Sequence, residues 1–485
     1  MSARSRSMSI TERMLLNVVR SAAICTEKSK SIMFSPAYRA GVASTLMSNT
    51  PRPLNLRSIA LTAFLPTLLF SVGEGAIIPL IPLVASDLGA TLAVAGVIAA
   101  MIMLGELIGD IPSGWVVARI GERNSMIWAS VVTVFAVIIC ILASNALVLG
   151  VGIFLVGIAT AVFALARHAF MTSYVPLVYR ARALSTLGGV FRAGWFIGPF
   201  LSAALIHLTG TTHSAFWVFI VFCVLAIVIL LILPDPTQGL TAAGAGAPVA
   251  VSSASDSSPA RSPESMPASS AKRSDAVPPV VAEGLFQTIR THRGVLGRLG
   301  SGAALVGALR ASRIVMLPLW AVSIGVSAPD TALIIGIAGG IDFVLFYVSG
   351  QIMDRFGRIW SAVPSMIGLG LGHLALALTH DLASNVGWFI GVAMFLALAN
   401  GIGSGLLMTL GADLAPQHHP APFLGAWRFT NDFGSAAAPL AVAGITALAS
   451  LSIASGVMGV FGLVGAVVLR RYIPRFAPRR PGGLL

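Results

Sequence analysis

The sequence predicts an all-α integral membrane protein with twelve transmembrane helices in two pseudo-symmetric six-helix bundles. Three observations carry that prediction. Hydrophobic residues make up 56% of the chain and charged residues 10%, a far more apolar balance than that of a soluble domain. Twelve stretches reach the roughly 20 apolar residues that a helix needs to cross a bilayer. An Ala/Ser/Pro-rich stretch from Pro236 to Pro279 divides them six and six.

The first six predicted helices cover 59–83, 92–117, 125–143, 147–170, 184–206 and 214–233. The second six cover 299–323, 331–353, 360–379, 386–410, 424–447 and 452–470. Residues 1–57, polar and rich in Ser and Arg, read as a disordered cytoplasmic tail or as a segment ahead of a later start at Met33 or Met47. A weak apolar stripe there (Ile10, Met14, Val18, Ala22) is the pattern of a surface helix. Residues 58–235 form the first bundle, 236–297 a cytoplasmic linker, 298–472 the second bundle and 473–485 a cytoplasmic tail. Most of the linker holds too little apolar surface to offset the entropy of ordering it, which makes it a flexible tether. Its last residues, Glu283 to Arg298, turn apolar and basic, as in a surface helix leading into helix 7.

A net charge of +13 would suit a nucleic-acid partner, but the positions of the bases argue otherwise. Lys and Arg fall in the tails, in the central linker and in the turns holding Arg119, Arg123, Arg180, Arg182, Arg355 and Arg358. The alternate loops (84–91, 144–146, 207–213, 324–330, 380–385, 448–451) contain none. The positive-inside rule then places both termini in the cytoplasm, with the lipid bilayer rather than nucleic acid as the partner of the basic surface. Cys25, Cys140 and Cys223 show neither paired nor metal-ligand spacing, so no disulfide framework and no metal site are expected.

The halves repeat one another. A shift of 236 lays Pro82 on Pro318, Gly114 on Gly350, Arg119 on Arg355 and Gly121 on Gly357; a shift of 240 lays Gly194 on Gly434 and Pro199 on Pro439. The turn after helix 8 reads GQIMDRFGR, with Gly350, Asp354, Arg355, Gly357 and Arg358. This string resembles the loop signature of the major facilitator superfamily, where the resemblance implies that the acid and the bases lock neighbouring helix ends in one conformation. The first-half copy keeps Gly114, Arg119, Gly121 and Arg123 but has Ala118 in place of the acid, and Asp110 is the nearest substitute. Helix 5 carries Gly194 and Gly198-Pro199, which resembles the helix 5 signature of proton-coupled antiporters in that superfamily; packing between small residues is the plainer reading. Overall the chain is most similar to the twelve-helix drug:proton antiporter branch. That resemblance implies a monomeric multi-pass protein of the plasma membrane, working by alternating access without a cofactor.

Charges inside membrane helices persist when they are paired or face water. The predicted helices hold five acids (Glu74, Glu106, Asp110, Asp342, Asp432) and five bases (Arg167, Arg192, Arg310, Arg313, Arg428). Proton coupling needs a carboxylate that changes protonation near neutral pH, which burial can bring about. Glu74 ranks first, because helix 1 lines the central cavity in the superfamily; Glu106, Asp342 and Asp432 follow. Static ion pairing is the competing reading for each. Arg310, Arg313 and Arg192 are candidates for the cavity or for charge pairs, with Arg313 better suited to a pair. Arg167 and Arg428, near helix ends, have the reach to snorkel to the surface. His373, in a peripheral helix, is read as structural, and the pair His418-His419 as a solvated turn.

Proton-coupled efflux of lipophilic or drug-like small molecules leads the functional readings. Proton-coupled uptake, or movement of organic anions or metabolites, is the transport alternative, favoured if embedded arginines face the cavity unpaired. A membrane scaffold without transport is the alternative of another class. An enzyme is not expected, since no metal-ligand cluster, phosphate loop or Ser/His/Asp arrangement occurs in the predicted loops.

Overall fold

A computed structural model describes residues 60–175, 177–233, 290–416 and 420–477. The predicted N-terminal tail with its apolar stripe and Cys25, most of the linker, and His418-His419 lie outside the described residues.

The first half comprises α1 (Thr62–Asp87), α2 (Leu92–Ile120), α3 (Glu122–Ile141), α4 (Ala146–Tyr174), α5 (Leu177–Thr209) and α6 (Ser214–Ile232). The second comprises α7 (Arg293–Ser323), α8 (Ala328–Phe356), α9 (Ile359–Thr379), α10 (Asn385–Leu414), α11 (Pro420–Leu448) and α12 (Leu451–Phe476). Eleven of these are long and apolar enough to cross a membrane; α11 has the length, but Arg428, Asn431 and Asp432 make its first half more polar. The helix expected from 299 starts at Arg293, inside the predicted linker, because Gly294 and Gly297 are carried within a continuous helix. The last helix runs to Phe476 rather than 470.

Two helices are interrupted, and each interruption follows from sequence. α1 passes through a 3-10 turn at Ile78–Leu80, where Pro79 has no N–H to give to the α-helical ladder. α10 breaks between Ile402 and Leu406, with Gly405 at φ +76° in the left-handed region that favours glycine. Freed carbonyls at membrane depth need donors. Ser349 Oγ lies 2.7 Å from Ile402 O and 2.6 Å from Ser404 O, Ser361 Oγ donates to Ile402 O at 2.6 Å, and Arg310 Nη2 donates to Gly403 O at 2.5 Å. The α2–α3 and α8–α9 turns use the repeated glycines, Gly121 at φ +82° and Gly357 at φ +95°.

Within each half the helices close on small residues, as expected where lipid removes the hydrophobic drive for association. In the first, α2 packs on α4 and α1 on α5; in the second, α7 packs on α11 and α9 on α12. A methyl group added at Gly434 would collide with the Ala304 carbonyl, and one at Gly462 would stand 2.6 Å from Gly370 Cα. The halves meet where α5 packs on α8 and α2 on α11. At the end away from the basic turns this seam is tight: added methyls at Gly96 and Gly336 would stand 3.3 Å from Ala443 Cβ and 3.2 Å from Pro199 Cβ.

Candidate functional site

Between the halves lies a cavity of about 780 Å³, within the range of small-molecule sites. Its walls come from α1, α4 and α5 on one side and α7, α8 and α10 on the other. Apolar and aromatic groups (Phe191, Trp195, Ile314, Leu317, Phe346) share the lining with Arg167, His168, Arg192, Arg310, Arg313, Asp342 and Asn400.

Glu74 is positioned by the α1–α5 crossing. A methyl at Gly75 would stand 2.9 Å from Trp195 Cα, so the two backbones touch there. The Trp195 indole then reaches across, and Nε1 donates to Glu74 Oε2 at 2.9 Å. Glu74 is 1% exposed and does not line the cavity, whereas Trp195 does. Among the described residues no guanidinium is within ion-pair distance of Glu74; Arg167 is the base whose charge acts on it. Gly194 and Gly198 of the helix 5 string pack directly on α1, against Ser71 and Val72, while Pro199 lines the cavity.

The second half carries a closed pair. Arg313 Nη2 donates to Asp342 Oδ2 at 2.5 Å, and Asn400 Nδ2 donates to both oxygens of Asp342 at 3.0 and 3.1 Å. Arg310, one turn earlier, reaches only the neutral Gly403 carbonyl among the described residues. Arg192 lies over the Phe346 ring, 4.9 Å from its centroid, so this α5 cation crosses to α8. Arg167 does not snorkel: it is 8% exposed, lines the cavity and stacks 4.5 Å from the centroid of Phe191. Sequence reading missed both this and His168; the signal was a base following the unbroken apolar run Ala161 to Ala166.

Other candidates lie elsewhere. Asp110 of α2 faces Arg428 of α11 across the seam at 3.7 Å, and Arg428 also contacts Asp432 at 3.2 Å, so Arg428 reaches the surface, as expected, and is paired there. Glu106, half-buried in α2, makes no ion pair or hydrogen bond with a described residue but feels the charges of Glu74, Asp110 and Arg428. In the signature turn, Arg358 Nε donates to Asp413 at 2.8 Å, joining α9 to α10. Asp354 is exposed and forms no ion pair with a described residue, and Arg355 stacks on Phe356. Arg123, the first-half counterpart of Arg358, donates to the carbonyls of Leu230 and Leu233 and so caps α6. Arg119 stacks on Trp115; Gly114 and Gly350 have open space beside them. His373 is a core residue that shares a 3.0 Å hydrogen bond with Ser312. Among the described residues no cluster of His, Cys, Asp or Glu has the makings of a metal site.

Two repeated halves around one cavity, with a glycine-turned basic loop in each, are matched by the model of the Major Facilitator Superfamily over residues 63–439. The chain belongs to that superfamily. Within it, the chain is 23% identical over 144 residues to a probable inositol transporter 3 of Arabidopsis thaliana, covering 30% of this chain and 25% of that one. It is 23% identical over 184 residues to the galactose-proton symporter of Escherichia coli K12, covering 38% and 39%. The matched stretches therefore span well under half of those relatives. Over almost the whole length, the fold is that of a POT family transporter crystallised with a thioalcohol-conjugated peptide, with a TM-score of 0.67, 13% identity, and 87% of this chain and 97% of that chain covered.

Proposed function

We propose that the protein is a proton-coupled secondary transporter of a small organic solute, working by alternating access at the central cavity. It would sit in the plasma membrane as a monomer with both termini cytoplasmic. The observation that carries this reading is the Trp195–Glu74 hydrogen bond. It links a buried carboxyl to the face of a residue that the solute would touch, so that loading of one site is felt at the other. The α5–α8 and α2–α11 seams supply the surfaces on which two bundles rock.

Export against inward proton flow is the coupling we assign, in line with the helix 5 string Gly194, Gly198, Pro199. A second reading, uptake with protons, is favoured by the name of the galactose-proton symporter among the relatives. Proteoliposomes with acid outside separate the two: the antiporter drains solute from the lumen and the symporter fills it. The panel is galactose, 2-naphthoate and tetraphenylphosphonium, with luminal pH followed by dye. Solute-evoked proton movement in wild type, lost in Glu74→Gln, is the expected result. Proton movement unchanged in that variant sinks the assignment to Glu74, and a panel that moves no protons sinks the coupling.

A further inference from the structure

We propose that the solute of this cavity is an organic anion, its acidic group held between Arg192 and Arg310 across the two bundles. The inference rests on the cavity being the transport site and deepens that reading by naming the substrate class.

Around the cavity the charges do not balance. Three guanidinium groups, Arg192, Arg310 and Arg313, share one region of the cavity with a single carboxylate, Asp342. That carboxylate is already taken: Arg313 holds one oxygen at 2.5 Å and Asn400 donates to both. Among the described residues Arg310 has only a peptide carbonyl, and Arg192 only the face of Phe346. Arg192 and Arg310 lie near enough to repel one another. Buried cations at membrane depth call for a counter-charge.

Unused polar atoms mark where it would enter. Arg310 Nε, Arg313 Nε and Ser404 Oγ are buried with no hydrogen-bond partner among the described residues, an arrangement that costs stability unless something fills it. A planar acidic group accepts from two guanidinium forks at once, which a hydroxyl or an ammonium does not. A cation would add to the repulsion. A sugar would leave the excess charge uncompensated, and among the described residues Asn400 is the one side-chain amide on the walls. The rest of the solute would be apolar, to suit Trp195, Phe346, Ile314 and Leu317. Because Arg192 belongs to the first half and Arg310 to the second, the anion would draw the halves together, and at Arg310 it would compete with the carbonyl that closes the α10 break.

Binding to purified full-length protein in detergent tests this without any transport. The probes are 2-naphthoate and octanoate, with 2-naphthamide and 2-naphthylmethylammonium as neutral and cationic counterparts. The expected result is anion binding at least about tenfold tighter than amide binding. Arg192→Gln and Arg310→Gln should each abolish that preference, while Arg310→Lys keeps part of it and controls for folding. An anionic lipid offers the same charge; prior loading with phosphatidylglycerol that blocks naphthoate would show that a lipid headgroup takes the same site and overturn its assignment to a free solute. Equal binding of amide or ammonium, a preference that survives both Gln variants, or binding by no member of the series overturns the anion assignment. Proton-coupled flux of another solute would leave the transporter reading standing.

Discussion

The two halves place charges at equivalent depths and treat them differently. A shift of 236 residues lays Glu74 on Arg310 and Glu106 on Asp342. In the second half four of the five charges predicted inside membrane helices are closed off, Arg313 with Asp342 and Arg428 with Asp432, and Arg358 pairs with Asp413 at the helix ends. In the first half Glu74, Glu106, Arg167 and Arg192 have no ion pair within 4.0 Å among the described residues. One duplicated scaffold thus carries a half whose embedded charges are mostly paired and a half whose embedded charges are mostly without an ion pair among the described residues. Arg310 is the exception that the second half lends to the cavity.

Removing one partner of a buried ion pair costs about 3–5 kcal/mol, because the other is left charged and unpaired. Asp342→Asn should therefore produce the largest loss of thermal stability of any single charge change, and Glu106→Gln, at the equivalent first-half position, should shift the melting temperature little. The double change Arg313→Met with Asp342→Leu should recover most of the loss. Equal effects at positions 106 and 342 would break the contrast between the halves.

Packing should not distinguish them. Gly198 of α5 and Gly434 of α11 both press against a backbone of their own half, Gly198 on α1 and Gly434 on α7. Overpacking costs about 1–3 kcal/mol, and more where the obstacle is main chain. Leu at either position should destabilise comparably, whereas Leu at Gly444, with nothing nearby, should be close to neutral in the same melting experiment.

The helices were legible because an apolar run of spanning length has few stable homes besides a bilayer, and the duplication because Pro and Gly constrain backbone wherever they recur. Charges, too, stand out in an apolar sequence. Their partners do not. Arg310 and Arg313 are three positions apart on one helix, yet the second meets Asp342 of α8 and the first a peptide carbonyl at the α10 break. Arg167 reads as a residue able to reach the surface, and only the α4–α5 crossing brings Phe191 over it. In the signature turn the resemblance singles out Asp354, but the ion pair formed is between Arg358 and Asp413, a residue 55 positions away.

The smallest effect belongs to the one ion pair that joins the halves among the described residues. Asp110 and Arg428 are 3.7 Å apart with half of the Arg428 side chain exposed, a geometry worth about 0–1 kcal/mol. Its loss should scarcely change melting. It should change which conformation is populated, because a two-state equilibrium responds several-fold to a bias of that size. Ser404, 1% exposed on the cavity wall, reports this when replaced by Cys. In Asp110→Asn its alkylation by a small water-soluble reagent should speed up about two- to threefold. Asp413→Asn, which breaks a pair of similar exposure within one half, should leave the rate unchanged. If both variants accelerate labelling alike, the seam pair is no latch, and the asymmetry between pairs inside a half and pairs across the seam carries no conformational meaning.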